Sequence, residues 1–499
     1  MFFEVTEEVP LSTAILTHIS DFMFTYVLIL LLVGAGLFFT LRSNFVQVRH
    51  FKGMLKAIVS KEDSSGGISS FQAFATGMAS RVGTGNIVGV AIALTVGGPG
   101  AIFWMWVVAF VGMATGFVEA TLAQIFKVRQ KDGTYRGGPA YYIRTGLGSK
   151  FWAVAFAVML TFAYGFAFNM VQANTIADTL ASNHSVPPWV TAVALIACAA
   201  PLLLRGIKPI AAFAGKYMPI IAGLYVGIAL LIVLLNIDQL PTMFTHIFKS
   251  AFGLEEAVAG TGAGILAAML NGTKRGLFSN EAGMGSAPNM AATATVSHPV
   301  KQGLIQSLGV FIDTIVVCSA TAFMIMASGA YSFSDIGSIA GASLTNDAIV
   351  TALGPWAVWL TSIIIFAFAF TTLFGNYSYA EVNLTYLGAS DRGIAFFRYL
   401  VLAGLAVGAL LKLEAVWAIA DIAMAFMATT NLVAIILLSK WFFGTLKDYE
   451  LKKEAGTTAQ RFVGHENPHL PGNTPGDVWA QGASDASASS ESFEQGPVN

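Results

Sequence analysis

The chain has 499 residues, of which 55% are hydrophobic and only 11% charged, with a mean hydropathy of +0.68. A soluble domain carries roughly 25% charged residues, so this composition excludes an ordinary soluble fold and indicates an all-α polytopic membrane protein. A formal net charge of −1 offers no global basicity for nucleic acid, and the two cysteines, Cys198 and Cys318, lie in apolar runs with neither a disulfide framework nor metal-ligand spacing.

In chain order, Glu4, Glu7, Glu8 and Asp21 precede the first apolar run, the reverse of a basic signal-peptide n-region, so that run is expected to remain as a helix over 22–42. Apolar windows of about 20 residues then predict spans over 70–97, 99–127, 150–181, 187–204 and 208–236. A second series covers 255–296, 300–328, 347–387, 394–411 and 414–442, giving eleven in all. From Lys447 the chain turns polar, and its end, Gly482 to Asn499, reads as a disordered tail.

Short loops rich in Lys and Arg mark the cytoplasmic side. Arg42, Arg49, Lys52, Lys56 and Lys61 form one such loop, and Lys127, Arg129, Lys131, Arg136, Arg144 and Lys150 the next. Arg205, Lys208, Lys301, Arg392, Lys447, Lys452 and Lys453 fall on the same side if the spans number eleven. The expected organisation is an extracytoplasmic N-terminus (1–21), an extra helix (22–42), a first five-helix repeat (70–237), an inverted second repeat (253–442) and a cytoplasmic tail (447–499).

The first span of each five-helix group is interrupted. Ser80-Arg81-Val82-Gly83-Thr84-Gly85-Asn86 breaks the first, and Asn271-Gly272-Thr273-Lys274-Arg275-Gly276 is expected to break the second. Paired breaks at corresponding positions of inverted halves point to a midplane binding site in a secondary transporter. A purely structural kink is the alternative, although polar and charged residues are costly for that purpose alone.

In the first break, the free amides of Thr84 and Gly85 head a restarting helix and suit a carboxylate, with Asn86 beside them, while the carbonyls of Ala79 and Val82 suit a monovalent cation. Gly83, Gly85 and Gly89 do not match the dinucleotide G-x-G-x-x-G spacing, and no strand precedes them. Asn271, Gly272 and Phe278 are the candidate second wall. Lys274, Arg275 and Glu281 read as an ion-pair network or gate, and Arg81 and Glu119 as charges paired within the membrane. Gln172, sharing a face with Asn169 and Asp178, is the candidate polar contact to a solute, with interhelical hydrogen bonding as the alternative. Thr371 and Thr372 offer hydroxyl oxygens for a sodium-sized ion, with Asn376 one turn on, although threonines also bond back to the preceding turn.

Ser80 to Asn86, Gly97-Gly98-Pro99-Gly100-Ala101 with Phe103-Trp104-Met105-Trp106, Arg136-Gly137-Gly138-Pro139-Ala140, and Phe278-Ser279-Asn280-Glu281-Ala282-Gly283-Met284-Gly285-Ser286 together resemble the alanine/glycine:cation symporter family over about 22–445. The resemblance implies sodium-coupled uptake of small neutral amino acids, chiefly alanine or glycine, across a bacterial inner membrane. It also implies no cofactor beyond the coupling ion, and the five-plus-five inverted repeat of the sodium-coupled leucine transporters after one extra helix. By motif position it places substrate contacts on Thr84, Gly85, Gln172, Asn271, Gly272 and Phe278, and sodium ligands on Ala79, Val82 and Thr372, with Thr371 nearby. One departure stands out: where many members carry a Trp that lids the pocket, this chain has Asn376, which would widen selectivity toward serine or glutamine. Proton coupling through Glu119, Asp313 or Glu381 is the competing mechanism. An enzyme is disfavoured, because the seven histidines show no metal-ligand or nucleophile–base spacing.

Overall fold

The computed structural model describes residues 11–59, 68–131, 133–254, 262–331, 341–411, 413–457 and 460–481. The predicted disordered end, 482–499, and residues 1–10 of the predicted N-terminal segment, with Glu4, Glu7 and Glu8, lie outside them. Helices α1 (Ile15–Arg42), α4 (Gly100–Ile125), α5 (Lys150–His184), α7 (Ile207–Leu235), α10 (Pro299–Ala327), α11 (Ala357–Tyr386), α12 (Asp391–Leu410) and α13 (Val416–Leu437) are each long and apolar enough to cross a membrane. A bent pair, α2 (Ser70–Arg81) and α3 (Gly85–Gly97), makes a ninth span with a 48° kink. The other two members of the series are α6 (Pro188–Leu203), which has only 16 residues, and α8 (Gly262–Asn280) with α9 (Ala287–Thr293), where Lys274 and Arg275 dilute the apolar character. The predicted span 347–387 is divided by Gly354, at φ 93°, into a short helix, Gly341–Leu353, and α11.

Two groups of helices surround the breaks. Helix α4 packs along α8 and α10, while α5 packs along α6, α11 and α12. Helix α2 lies between the groups, touching α11, α7 and α10. Small residues permit these approaches: a Cβ at Gly272 would collide with the Ala101 carbonyl of α4, and one at Gly408 with Met170 of α5.

The two breaks form for different local reasons. A capping box starts α2, with the Ser69 hydroxyl accepting from the Gln72 amide (3.1 Å) and Gln72 Oε1 from the Ser69 amide (3.1 Å). The helix stops at Val82 (ψ 87°), and the freed Gly83 amide donates to Asn86 Oδ1 at 2.9 Å. The second break is not at Asn271–Gly276, where α8 runs on without interruption; it occupies Glu281–Ser286. Glu281, Gly283 and Gly285 all adopt positive φ (58°, 89° and 77°). Lys274 and Arg275 needed no break, because each finds an aspartate: Lys274 Nζ meets Asp21 Oδ1 at 2.6 Å and Arg275 Nη2 meets Asp421 Oδ2 at 2.7 Å. The amides freed at Gly283 and Gly285 donate to the Glu119 carboxylate at 3.3 and 3.2 Å, and Asn431 Nδ2 donates to it at 2.8 Å. Glu119 thus satisfies the opened backbone.

Beyond the spans, Ser439–Glu454 forms a final helix, α14, on the face that carries the basic loops. Glu450 pairs with Arg49 (2.6 Å), and Asp448 with Lys452 and His298 (both 3.0 Å). The buried His298 ring accepts the Val300 amide at Nδ1 (3.2 Å), so Nε2 carries the proton toward Asp448 and the ring is neutral. Burial pushes His298 down to about 4 from 6.5. Burial also raises Asp448, but hydrogen bonds from His298, Lys452 and Asn467 outweigh it and hold the carboxyl at about 2, against 3.8. Both groups bind fewer protons folded than unfolded, so stability falls with acid: His298's share is present above 6.5 and lost toward 4, Asp448's is lost between 3.8 and 2. At about pH 5 the His298 share of the loss is about 2 kcal/mol. Thermal unfolding of the purified protein is therefore expected to begin several degrees lower at about pH 5 than at about pH 7.5, and His298→Asn, which cannot take the proton, is expected to shrink that difference. An equal pH response in His298→Asn would contradict this assignment.

Candidate functional site

Where the two breaks meet there is a small cavity lined by Ser80, Arg81, Gly83, Thr84, Gly85, Phe168, Gln172, Phe278, Glu281, Thr372 and Asn376. A wider notch among Arg42, Arg49, Lys447 and Glu450 is open to solvent on the charged face and touches neither break. The cavity draws from α2 and α3, α5, α8 and α11, so both helix groups contribute walls.

Of the residues singled out in the sequence, Thr84, Gly85, Gln172, Phe278, Thr372 and Asn376 converge here. The Thr84 amide donates to Gln172 Oε1 at 3.3 Å, which ties α5 to the start of α3. The Thr84 hydroxyl is buried without a partner among the described residues. A carboxylate placed at this helix start would take over the Thr84 amide and gain about 0.3–1 kcal/mol from the dipole, up to ~2 when buried. The Gly85 backbone is packed so closely against Phe278 and Ser279 that a Cβ would press on the ring. Phe278 in turn contacts Phe168 (5.0 Å between centroids) and Trp417 (4.6 Å), giving an apolar side opposite the amides.

The Ala79 carbonyl and Thr372 Oγ1 meet at 2.8 Å, and the same hydroxyl reaches the Phe368 carbonyl at 2.9 Å. Gly83 leaves room for this hydroxyl, since a Cβ there would collide with it. Val82 terminates α2 one turn on. Oxygens of two facing elements thus gather where α2 ends. Thr371 does not join them: its hydroxyl bonds back to the Phe368 carbonyl at 2.9 Å and faces Met218. Asn271 and Gly272 also lie elsewhere. Asn271 donates to the Ala267 carbonyl of its own helix, and Gly272 is the close-packing point on α4. Their displacement follows from the true position of the second break, ten residues later.

Asn86 stands just behind the cavity, donating to Asp313 Oδ1 (2.7 Å) and Ser279 Oγ (2.9 Å), while Ser279 Oγ donates to Asp313 Oδ2 at 2.6 Å. Asp313 thereby joins the first break to the second. On the other side, Ser80 Oγ lies 2.8 Å from Glu281 Oε1 and 2.7 Å from Asn376 Oδ1, and Asn376 donates to Asn169 at 3.0 Å. Arg81 lines the cavity, but its guanidinium Nη1 reaches the Gln306 carbonyl of α10 (3.4 Å), in space left by Gly309. Trp417 and Asp421 were not anticipated. The signal was present: Asp421 is a lone acid inside an apolar span, one turn after a tryptophan.

The model of the sodium:alanine symporter family matches residues 9–463. The chain belongs to that family. Within it, the chain is 45% identical over 448 residues to the probable sodium/glutamine symporter GlnT of Bacillus subtilis (89% of this chain, 92% of that protein). It is 40% identical over 454 residues to the sodium/alanine symporter AgcS of Methanococcus maripaludis (89% and 99%). Among solved structures, MhsT in complex with L-phenylalanine superposes with a TM-score of 0.50 at 13% identity, covering 80% of this chain and 93% of MhsT. The fold is therefore that of the leucine-transporter type, as the resemblance implied, and this symporter-family member is a multi-pass membrane protein.

Proposed function

We propose that this protein is a sodium-coupled symporter that carries small neutral amino acids, alanine and glycine foremost, into a bacterial cell by alternating access. The observation that carries the reading is the convergence of the Thr84 and Gly85 backbone, which lines the cavity, with Thr372, which lines it too and whose hydroxyl meets the Ala79 carbonyl at 2.8 Å. The first accepts the substrate carboxylate and the second the sodium ion. Phe168 and Phe278, which both line the cavity, take the apolar side chain. Membership of a sodium:alanine symporter family supports the ion and the substrate class. The shared face of Arg49, His298, Lys127 and α14 supports a cytoplasmic C-terminus and, with it, an extracytoplasmic N-terminus.

A zwitterion moves no net charge, so one sodium brings in one charge. That is about 2.3 kcal/mol per 100 mV, and a tenfold sodium gradient adds about 1.4, enough for accumulation of several hundredfold. Labelled alanine uptake into proteoliposomes is expected to require an inward sodium gradient. Indifference to sodium with a response to a pH gradient would replace this mechanism by proton symport. A competition panel of unlabelled amino acids checks selectivity in the same assay. Asn376→Trp is expected to suppress competition by glutamine and serine about tenfold or more while alanine still competes. An unchanged panel would remove Asn376 from the selectivity wall.

A further inference from the structure

The polar C-terminal segment does not hang free where it can be described. Residues 460–481 fold back across the charged face, and Phe462, Val478 and Trp479 are as buried as the core of the membrane domain. The Phe462 amide donates to the Ser297 carbonyl (2.8 Å), and the segment closes on itself through Gly464 to Trp479 (2.8 Å) and Arg461 Nη2 to the Val478 carbonyl (2.9 Å). Trp479 is the anchor. Its indole N–H donates to the Gln124 carbonyl at the end of α4 (2.8 Å), its ring meets Phe462 edge to face, and Lys127 Nζ lies 5.0 Å from its centroid.

Through Gln124 and Lys127 this anchor is connected to the outer ends of both broken helices. Gln124 and Lys127 each donate to the Ala294 carbonyl at 3.0 Å, just after α9, and Ser297 lies three residues on. Ala294 pairs as an isolated bridge with Ile68, the Thr295 amide reaches the Ile68 carbonyl (3.4 Å), and Ser70 Oγ reaches the Thr295 carbonyl (3.4 Å). A continuous run of contacts therefore leads from Trp479, through Gln124 and Ala294, to the start of α2. Every residue from Ala73 to Arg81 of α2 is buried, and α2 ends at the cavity, so a shift of its start away from the segment after α9 is a direct way to open the cavity toward this face. The family match ends at residue 463, so most of the folded segment, Trp479 included, lies beyond it.

We propose that residues 460–481 are a strap that holds the entry to α2 against the exit of α9 and so restrains opening of the cavity toward the face bearing α14. The inference rests on the transport reading for its physiological meaning but not for its test. The full-length chain carrying Cys198→Ser, which removes the exposed thiol, and Ile68→Cys is purified and treated with a polar maleimide. Adding Trp479→Ala is expected to speed labelling of Ile68→Cys about tenfold, a usual size for coupling between two sites. Trp479→Phe keeps a ring under Lys127 but loses the bond to the Gln124 carbonyl, and is expected to give a smaller acceleration. If Trp479→Ala does not fold, Trp479→Phe decides alone. Labelling at the parent rate in the variants that elute as the parent does would overturn the strap, and an earlier melting point with unchanged labelling would reduce it to a stabilising element. Alanine uptake is read separately: its absence from the parent would defeat the transport reading and leave the labelling comparison standing.

Discussion

Replacing Thr372 with alanine is expected to leave a folded protein whose amino-acid uptake needs about 10- to 100-fold more sodium, the equivalent of losing one hydrogen-bond-class contact to a charge, about 1.5–3 kcal/mol. The hydroxyl is buried, bridges the Ala79 carbonyl of α2 and the Phe368 carbonyl of its own helix, and sits in space reserved by Gly83. A hydroxyl has one proton to donate, so it satisfies one of these carbonyls at a time, and the lone pairs left over at the junction are what a cation can use. Thr372→Ser keeps the oxygen and is expected to keep most of the sodium response. Thr371→Ala, at a hydroxyl turned to Phe368 and Met218, is expected to change it little. Sodium titrations of alanine uptake in proteoliposomes check all three. If Thr371→Ala proved as damaging as Thr372→Ala, the cation would have to lie elsewhere.

The first break was legible because its sequence is locally incompatible with a helix: two glycines, an arginine and an asparagine interrupt an apolar run, and Asn86 caps the gap. The second break is not legible in the same way, because the charged run Lys274-Arg275 that would be costly in an isolated membrane helix does not break this one. In the fold, Lys274 and Arg275 are tolerated inside an unbroken α8 by partners on α1 and α13, about 250 and 150 residues away, and no local pattern reveals such pairing. The true break uses positive φ at Glu281, Gly283 and Gly285, which the glycine spacing announces only once Glu119 is known to receive the amides. Asn271 and Gly272 left the site for this reason, whereas Phe278 stayed because it lies between the expected break and the observed one, at the end of α8 that reaches the cavity. The strap was illegible for a different reason. Composition identifies a segment too polar to build its own core, but says nothing of a surface elsewhere on which one tryptophan can be buried.

Loss of Asp421 is expected to be the most damaging single change to stability, because it strands a buried guanidinium. Arg275 and Asp421 are both about 5% exposed, their Nη2 and Oδ2 atoms meet at 2.7 Å, and Arg275 Nε and Nη1 have no other partner among the described residues. Breaking a buried pair from one side costs about 3–5 kcal/mol, whereas replacing both partners by apolar groups of similar volume is often neutral. Asp421→Leu is therefore expected to unfold at markedly lower temperature, and Arg275→Met combined with Asp421→Leu to recover most of the loss. Function is expected to separate from stability in the double variant. The guanidinium lies 4.3 Å from the Trp417 ring centroid, and that ring lies 4.6 Å from Phe278, so pair, tryptophan and phenylalanine form consecutive layers over the cavity. Lys274 reaches Asp421 at 3.7 Å and Asp21 at 2.6 Å, which ties the extra helix α1 to the same layer. A charge pair can separate into water and re-form, so it suits a gate that opens in every cycle; an apolar pair would favour the closed state throughout. The double variant is thus expected to melt near the parent temperature yet take up alanine at a lower maximal rate with substrate affinity little changed. A double variant that is both stable and fully active would show the pair to be a structural tie alone.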